Sequence, residues 1–184
     1  MTRLFSLLAF GLLPIPTGCQ GQEARVDAAL PVSSAAPMRS AGSVPAIEWI
    51  EFQKALALAD SSSKALLVDV YASWCPWCAR MQDSVYTQTP ILEYIDRHFV
   101  TARLNVESVD DKIHFKGYTL SSAQLASGFG AEATPTTVFL TSTGDYITRL
   151  PGYVDAEGFL HVLRYIGSEA YKEKSFDQYM EEGD

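Results

Sequence analysis

A nearly continuous apolar run, Ala65-Leu66-Leu67-Val68-Asp69-Val70-Tyr71, is followed four residues later by Cys75-Pro76-Trp77-Cys78. Such a run suits a central strand covered on both faces. The CxxC pair then falls where the next helix begins. A thiol at a helix N-terminus meets unpaired backbone N–H groups and the positive end of the helix dipole, and both favour its thiolate. Pro76 fits the first helical turn, where its missing N–H costs nothing. Three residues apart on one helical face, two sulfurs can close a disulfide reversibly. The run therefore constrains the chain to a strand-to-helix turn carrying a dithiol.

Two other uses of a CxxC pair stay open on spacing alone. A zinc site needs two further ligands at matching spacing, and the chain offers only Cys19 and the scattered His98, His114 and His161. A permanently closed structural disulfide is the second alternative. The flanking tryptophans and the helix-start placement argue against it.

The chain has 184 residues, room for one ordinary domain with attachments. Its formal charge of −8 leaves no basic stripe to neutralise phosphates, which excludes nucleic acid as an expected partner. The first residues have the order of an export signal, with Arg3 followed by an apolar stretch, residues 4–13, too short to span a bilayer. Pro14-Ile15-Pro16-Thr17-Gly18-Cys19 reads as a cleavage region. Its small residues before a cysteine resemble the bacterial lipobox, which would make Cys19 an acylated N-terminus; ordinary cleavage nearby is the competing reading. Residues 20–45, rich in Ala, Ser, Pro and Gly, lack apolar periodicity and read as a flexible spacer. The expected division is a signal peptide at 1–18, a spacer at 19–46, a domain at 47–170 and a tail with a short helix at 171–184.

Within the domain, Ile47, Ile50, Ala55, Leu56 and Ala59 recur at helical spacing and predict an amphipathic helix over 47–59. A helix starting at the cysteines should break before Pro90 and resume through Ile91, Leu92, Ile95 and Phe99. Residues 100–106 predict a strand, 107–120 an irregular stretch turning at Gly117, and 120–129 a short helix ended by Gly128 or Gly130. Residues 136–141 and 146–150 predict a hairpin, and Asp155 caps a last domain helix holding Phe159, Leu160, Leu163 and Ile166. The sum is an α/β fold, a central mixed sheet flanked by helices. In the tail, Phe176, Tyr179 and Met180 share one face of a predicted docking helix.

The residues from Val68 through Cys78 resemble the active-site strand and helix of thioredoxins. Arg103-Leu104-Asn105-Val106 is similar to the next strand of that fold. Phe129-Gly130-Ala131-Glu132-Ala133-Thr134-Pro135-Thr136 resembles the loop with a cis-proline facing the redox cysteines, and Gly152-Tyr153 resembles the turn before the last helix. Within the superfamily the chain looks most like periplasmic thioredoxins of the SoxW type. Its departure from ordinary thioredoxin is the Pro-Trp dipeptide in place of Gly-Pro, a pair that tunes thiolate stability.

The resemblance implies a thioredoxin fold and an exported thiol–disulfide oxidoreductase that mainly reduces disulfides of periplasmic proteins. No bound cofactor is needed, because the Cys75–Cys78 pair carries the electrons. A membrane electron donor of the DsbD or CcdA kind would recharge it. Cys75, at the helix start, is the expected nucleophile and Cys78 the resolving thiol. Trp74, Pro76, Trp77, Thr134 and Pro135 are the expected substrate-binding positions, with Thr134–Pro135 cis and able to pair with an extended segment; plain packing is the competing reading for Trp74. Asp69, an acid inside an apolar strand, is expected to be buried with a raised pKa and to exchange a proton with Cys78, unless it lies at an edge. Arg103 is either its charge partner or a snorkelling residue. A disulfide oxidase or isomerase, and a non-catalytic thioredoxin-fold binding lipoprotein, are the alternative functions.

Overall fold

A computed structural model describes residues 46–183; the expected signal peptide, Cys19 and the spacer up to residue 45 lie outside the described residues. The elements run α1 (Phe52–Ser62), β1 (Ala65–Tyr71), α2 (Pro76–Ser84), α3 (Thr89–His98), β2 (Phe99–Asn105), β3 (Ile113–Phe115), β4 (Tyr118–Leu120), α4 (Ser122–Gly128), β5 (Thr136–Leu140), β6 (Tyr146–Pro151), α5 (Ala156–Gly167) and α6 (Phe176–Glu182). Four strands form a sheet in the order β2-β1-β5-β6, with β1 parallel to β2 and antiparallel to β5. This is the mixed sheet flanked by helices that the sequence predicts. Among the described residues no helix is long and apolar enough to cross a membrane.

Strand alternation divides the core. Leu66, Val68 and Val70 pack with Phe52, Ala102, Leu125, Phe129 and Val138 on the side of α1 and α4. Leu67 packs with Met81, Ile91, Ile95, Phe139, Phe159 and Leu163 on the side of α2, α3 and α5. Both faces of β1 are therefore covered, which is why its sequence shows a run rather than an alternation. Each fully buried phenylalanine, such as Phe139 or Phe159, contributes about 1.5–3 kcal/mol of transfer free energy.

Four expectations need correction. The first helix begins at Phe52 rather than Ile47, because residues 48–50 are extended alongside β2. Ile50 N–H donates to the Thr101 carbonyl at 3.2 Å, and the Thr101 hydroxyl donates to the Glu48 carbonyl at 2.7 Å. Phe99 opens β2 instead of closing the preceding helix. The stretch 107–120 is not irregular throughout: β3 and β4 form a hairpin around Lys116 and Gly117, both at positive φ. Three-residue strands are too short to show a period. Met180 is exposed; the tail docks through Phe176 and Tyr179, whose rings lie 5.3 and 5.4 Å from Tyr165 on α5. The Tyr165 hydroxyl also donates to the Lys174 carbonyl at 2.7 Å.

Candidate active site

The sheet register brings several segments to one end of the molecule. Val70 pairs with Thr136, and Thr136 with Pro151. The C-terminal end of β1, the residues before β5 and the residues after β6 therefore meet. The cysteine loop leaves β1 there, Thr134 and Pro135 enter β5 there, and Gly152-Tyr153 follow β6. The Thr134–Pro135 bond is cis, and the Pro135 carbonyl accepts from Gly152 N–H at 2.8 Å. Pro135 is buried and Thr134 half-buried.

Cys75 and Cys78 form a disulfide. Cys75 is the N-cap of α2: its backbone is extended, Pro76 occupies the first turn, and its sulfur accepts from Cys78 N–H at 3.1 Å. That bond meets one of the orphan donors of the helix start. It shows how the turn would stabilise a negative sulfur at position 75 once the disulfide opens. In the disulfide form the two residues are only 5% and 4% exposed, packed with Ala72, Tyr71 and Val106. The expected nucleophile, Cys75, is thus recessed in the disulfide form.

The rim is aromatic. Trp74 is 69% exposed, which removes the packing reading for it, and Trp77 is 52% exposed. Pro76 is exposed between them. The Trp77 ring lies 5.5 Å from that of Tyr153, so the segments after β6 and at the start of α2 share one surface.

Asp69 is buried in the middle of β1, opposite Arg103 on β2 and Thr137 on β5. Arg103 is its charge partner: Nη2 and Nε reach Oδ2 at 2.8 and 2.9 Å. The Tyr86 hydroxyl donates to Oδ1 at 3.2 Å. Arg103 is itself stacked, its guanidinium carbon 4.1 Å from the Tyr71 ring centroid and 5.1 Å from that of Trp49. Burial raises the Asp69 pKa, and the attraction of Arg103 and its hydrogen bonds only partly offset it. Burial and the neighbouring Asp69 likewise push Tyr86 well above the usual phenol range, leaving it a neutral donor. The oxygens of Asp69 are engaged by Arg103 and Tyr86 rather than by a sulfur.

One contact that braces the cysteine loop carries no signal in the sequence. Glu107, just past β2, accepts from Ser73 N–H at 2.7 Å and from the Ser73 hydroxyl at 2.6 Å. Val106 N–H donates to the Tyr71 carbonyl at 3.0 Å. Residues 106 and 107 therefore tie down the loop that ends in Cys75. The Ser73 bonds hold the Glu107 carboxyl below the usual range. Thirty-four residues separate the partners, and no local pattern signals such a contact. His98 stacks on Tyr94 at 4.2 Å, far along the chain from the site.

The sequence model of the thioredoxin-like domain family matches residues 52–167. The chain is 26% identical over 136 residues to the thiol:disulfide interchange protein DsbD of Ralstonia nicotianae, an alignment covering 68% of this chain and 21% of that protein. It spans about a fifth of the length of the curated relatives it matches. Among solved structures, a thioredoxin-fold protein from Helicobacter pylori superposes with a TM-score of 0.56 at 26% identity, covering 66% of this chain and 80% of that one. A thioredoxin from Thermus thermophilus gives 0.54 at 26% identity, covering 66% and 88%. A mixed four-stranded sheet, a disulfide at the start of α2, a cis-proline entering β5 and a family match over most of the described residues lead to one assignment: the chain belongs to the thioredoxin-like domain family.

Proposed function

We propose that the protein is an exported thiol–disulfide oxidoreductase, working mainly as a reductase of disulfides in periplasmic proteins. The observation that carries this reading is the Cys75–Cys78 pair at the start of α2, with Cys78 N–H already directed at the Cys75 sulfur. In the reduced protein the Cys75 thiolate attacks a substrate disulfide. One substrate sulfur leaves as a thiolate, and a mixed disulfide joins Cys75 to the other. The Cys78 thiolate then attacks the Cys75 sulfur, expelling the second substrate thiolate and closing the Cys75–Cys78 disulfide. Two electrons pass to the substrate, and the two protons lost by the cysteines appear on its thiols. No bound cofactor enters the cycle; a membrane dithiol donor of the DsbD or CcdA kind restores the reduced pair.

Trp74, Pro76, Trp77, Thr134 and Pro135 would seat the substrate, the backbone before the cis-proline pairing with an extended segment. Asp69 would take the Cys78 proton through water. The likeness of Asp69 to the buried acid of thioredoxins leans this reading towards reduction. Export would follow from residues 1–18, and Cys19 would carry the lipid; mass spectrometry of the membrane fraction should then show an acylated Cys19, and a mature form starting later would remove the anchor.

The deciding assay is turbidimetric reduction of insulin driven by dithiothreitol. A cysteine-dependent rate is expected. Its absence would leave a docking module, a reading that the two exposed tryptophans also suit. A reduction potential of the pair near −270 mV supports a reductase, whereas one near −120 mV would mark an oxidant.

A further inference from the structure

Arg80 lies two residues past Cys78 on the exposed side of α2. Its guanidinium carbon is 5.4 Å from the Trp77 ring centroid and 5.3 Å from that of Tyr153. Trp77, three residues earlier, shares its helical face. Helical side chains lean toward the N-terminus, so the cation is carried back toward the end that bears the disulfide. Tyr153 is positioned from its other side, its hydroxyl 3.2 Å from that of Ser84.

The guanidinium packs against both rings, which also lie 5.5 Å from each other, and its five N–H donors lie in its own plane. Among the described residues, the partners of the Arg80 side chain are these two rings. Asp83, the next acidic residue along α2, makes no ion pair with it. Among the described residues, Arg103 pairs with Asp69, Lys116 with Asp145, Lys172 with Glu169 and Lys174 with Glu182, whereas Arg97 on α3, like Arg80, lies on a ring without an ion pair. On a chain with a surplus of carboxylates, an exposed guanidinium packed on two rings without an acid, on the helix that the disulfide opens, has the form of a carboxylate receptor.

We propose that Arg80, packed against the Trp77–Tyr153 ring pair, is a specificity-determining residue that selects disulfide substrates carrying an acidic side chain near the attacked cysteine. The idea rests on the reductase reading above and adds the substrate class. Arg80 is five residues from Cys75, about 7.5 Å along the helix axis at ~1.5 Å per residue. An extended substrate advances about 3.3 Å per residue, which places the acid two or three residues from its cysteine. Arg80 takes no part in the sulfur exchange; it holds the peptide while the exchange occurs.

The test uses two synthetic peptides with one internal disulfide each, differing only in Glu or Gln at two and three residues from the attacked cysteine. The reduced full chain and its Arg80→Gln and Arg80→Lys variants are compared by kcat/KM. The wild type is expected to prefer the acidic peptide about fivefold, the scale of one partly exposed ion pair. The preference should shrink in high salt, fall to about one in Arg80→Gln and persist in part in Arg80→Lys. Equal rates for both peptides with the wild type overturn the proposal alone. So does an Arg80→Gln variant that melts lower and slows on both peptides equally, which would mark Arg80 as a packing residue. Reduction of neither peptide overturns the reductase reading and this proposal with it.

Discussion

Asp69 and Arg103 face each other across the parallel β1–β2 pair, Nη2 to Oδ2 at 2.8 Å, with the aspartate side chain 2% exposed and the arginine 24%. The acid is sealed while its partner keeps a route to water. Removing the guanidinium would leave the carboxyl with Tyr86 as its remaining side-chain donor. Arg103→Met is therefore expected to lose about 2 kcal/mol at pH 7, below the full cost of breaking a wholly buried pair because Arg103 is partly solvated. Without the cation the carboxyl pKa climbs further. The deficit should be widest at neutral pH and narrow as falling pH protonates Asp69. Urea unfolding across pH 4–8 measures it, and a deficit that does not change with pH would contradict the pairing energetics.

The Asp69 pKa is raised from its ordinary 3.8 chiefly by burial. A raised folded pKa means stability that is present in full below the unfolded value and is lost as pH rises through the folded one. Asp69→Asn cannot ionise and should escape that loss, so its stability relative to wild type should grow as pH rises through this window. The same variant should slow the resolving step of disulfide exchange at neutral pH more than the first attack. Stopped-flow traces at pH 6–9 separate the two steps; an unchanged resolving rate would make Asp69 purely structural.

Sulfur roles can be assigned by trapping. With Cys78→Ser, the mixed disulfide at Cys75 has no resolving thiol and should accumulate on substrate proteins. Cys75→Ser should accumulate almost none, since Cys78 lies one turn inside the helix. Equal accumulation on non-reducing gels would cancel the distinction.

Glu107 gives a pH-dependent hold on the cysteine loop. Its pKa is lowered from 4.5 by the Ser73 bonds, so their contribution is present above 4.5 and is lost as pH falls through the lower folded value. Glu107→Ala should speed hydrogen exchange at the Ser73 amide several-fold while leaving the exchange of core β1 amides unchanged. If Ser73 exchange is insensitive to the substitution, the clamp is not a stabilising contact.

What the sequence made legible follows range. β1 was readable because both its faces are buried, and α5 because Asp155 caps it, accepting from Gly158 N–H at 2.9 Å. The dithiol, the family likeness and the Thr134–Pro135 loop stood in contiguous residues. The start of α1 was misread because Ile47 and Ile50 fit a helical period, while the backbone of residues 48–50 is used against β2. The hairpin at 113–120 was too short for periodicity. Trp74 could not be placed by type, since a tryptophan suits a core and a docking rim alike. The Arg103 partnership stayed undecided and the Glu107 clamp went unseen because both join residues thirty-four apart. The stacking of Arg80 depends on Tyr153, from another element altogether.

The tail packs on Tyr165 near the end of α5, and Gly167 at that end lies against Tyr94 and His98. His98 immediately precedes β2, whose first residue pairs with Ala65, the first residue of β1. The disulfide leaves the opposite end of β1, roughly 20 Å away for a seven-residue strand. A fluorophore attached to the docked face of α6, at Tyr179 beside Tyr165, would therefore sit at the pole remote from the sulfurs. The redox end would remain open to large protein substrates, which makes α6 a place to label this protein without blinding it.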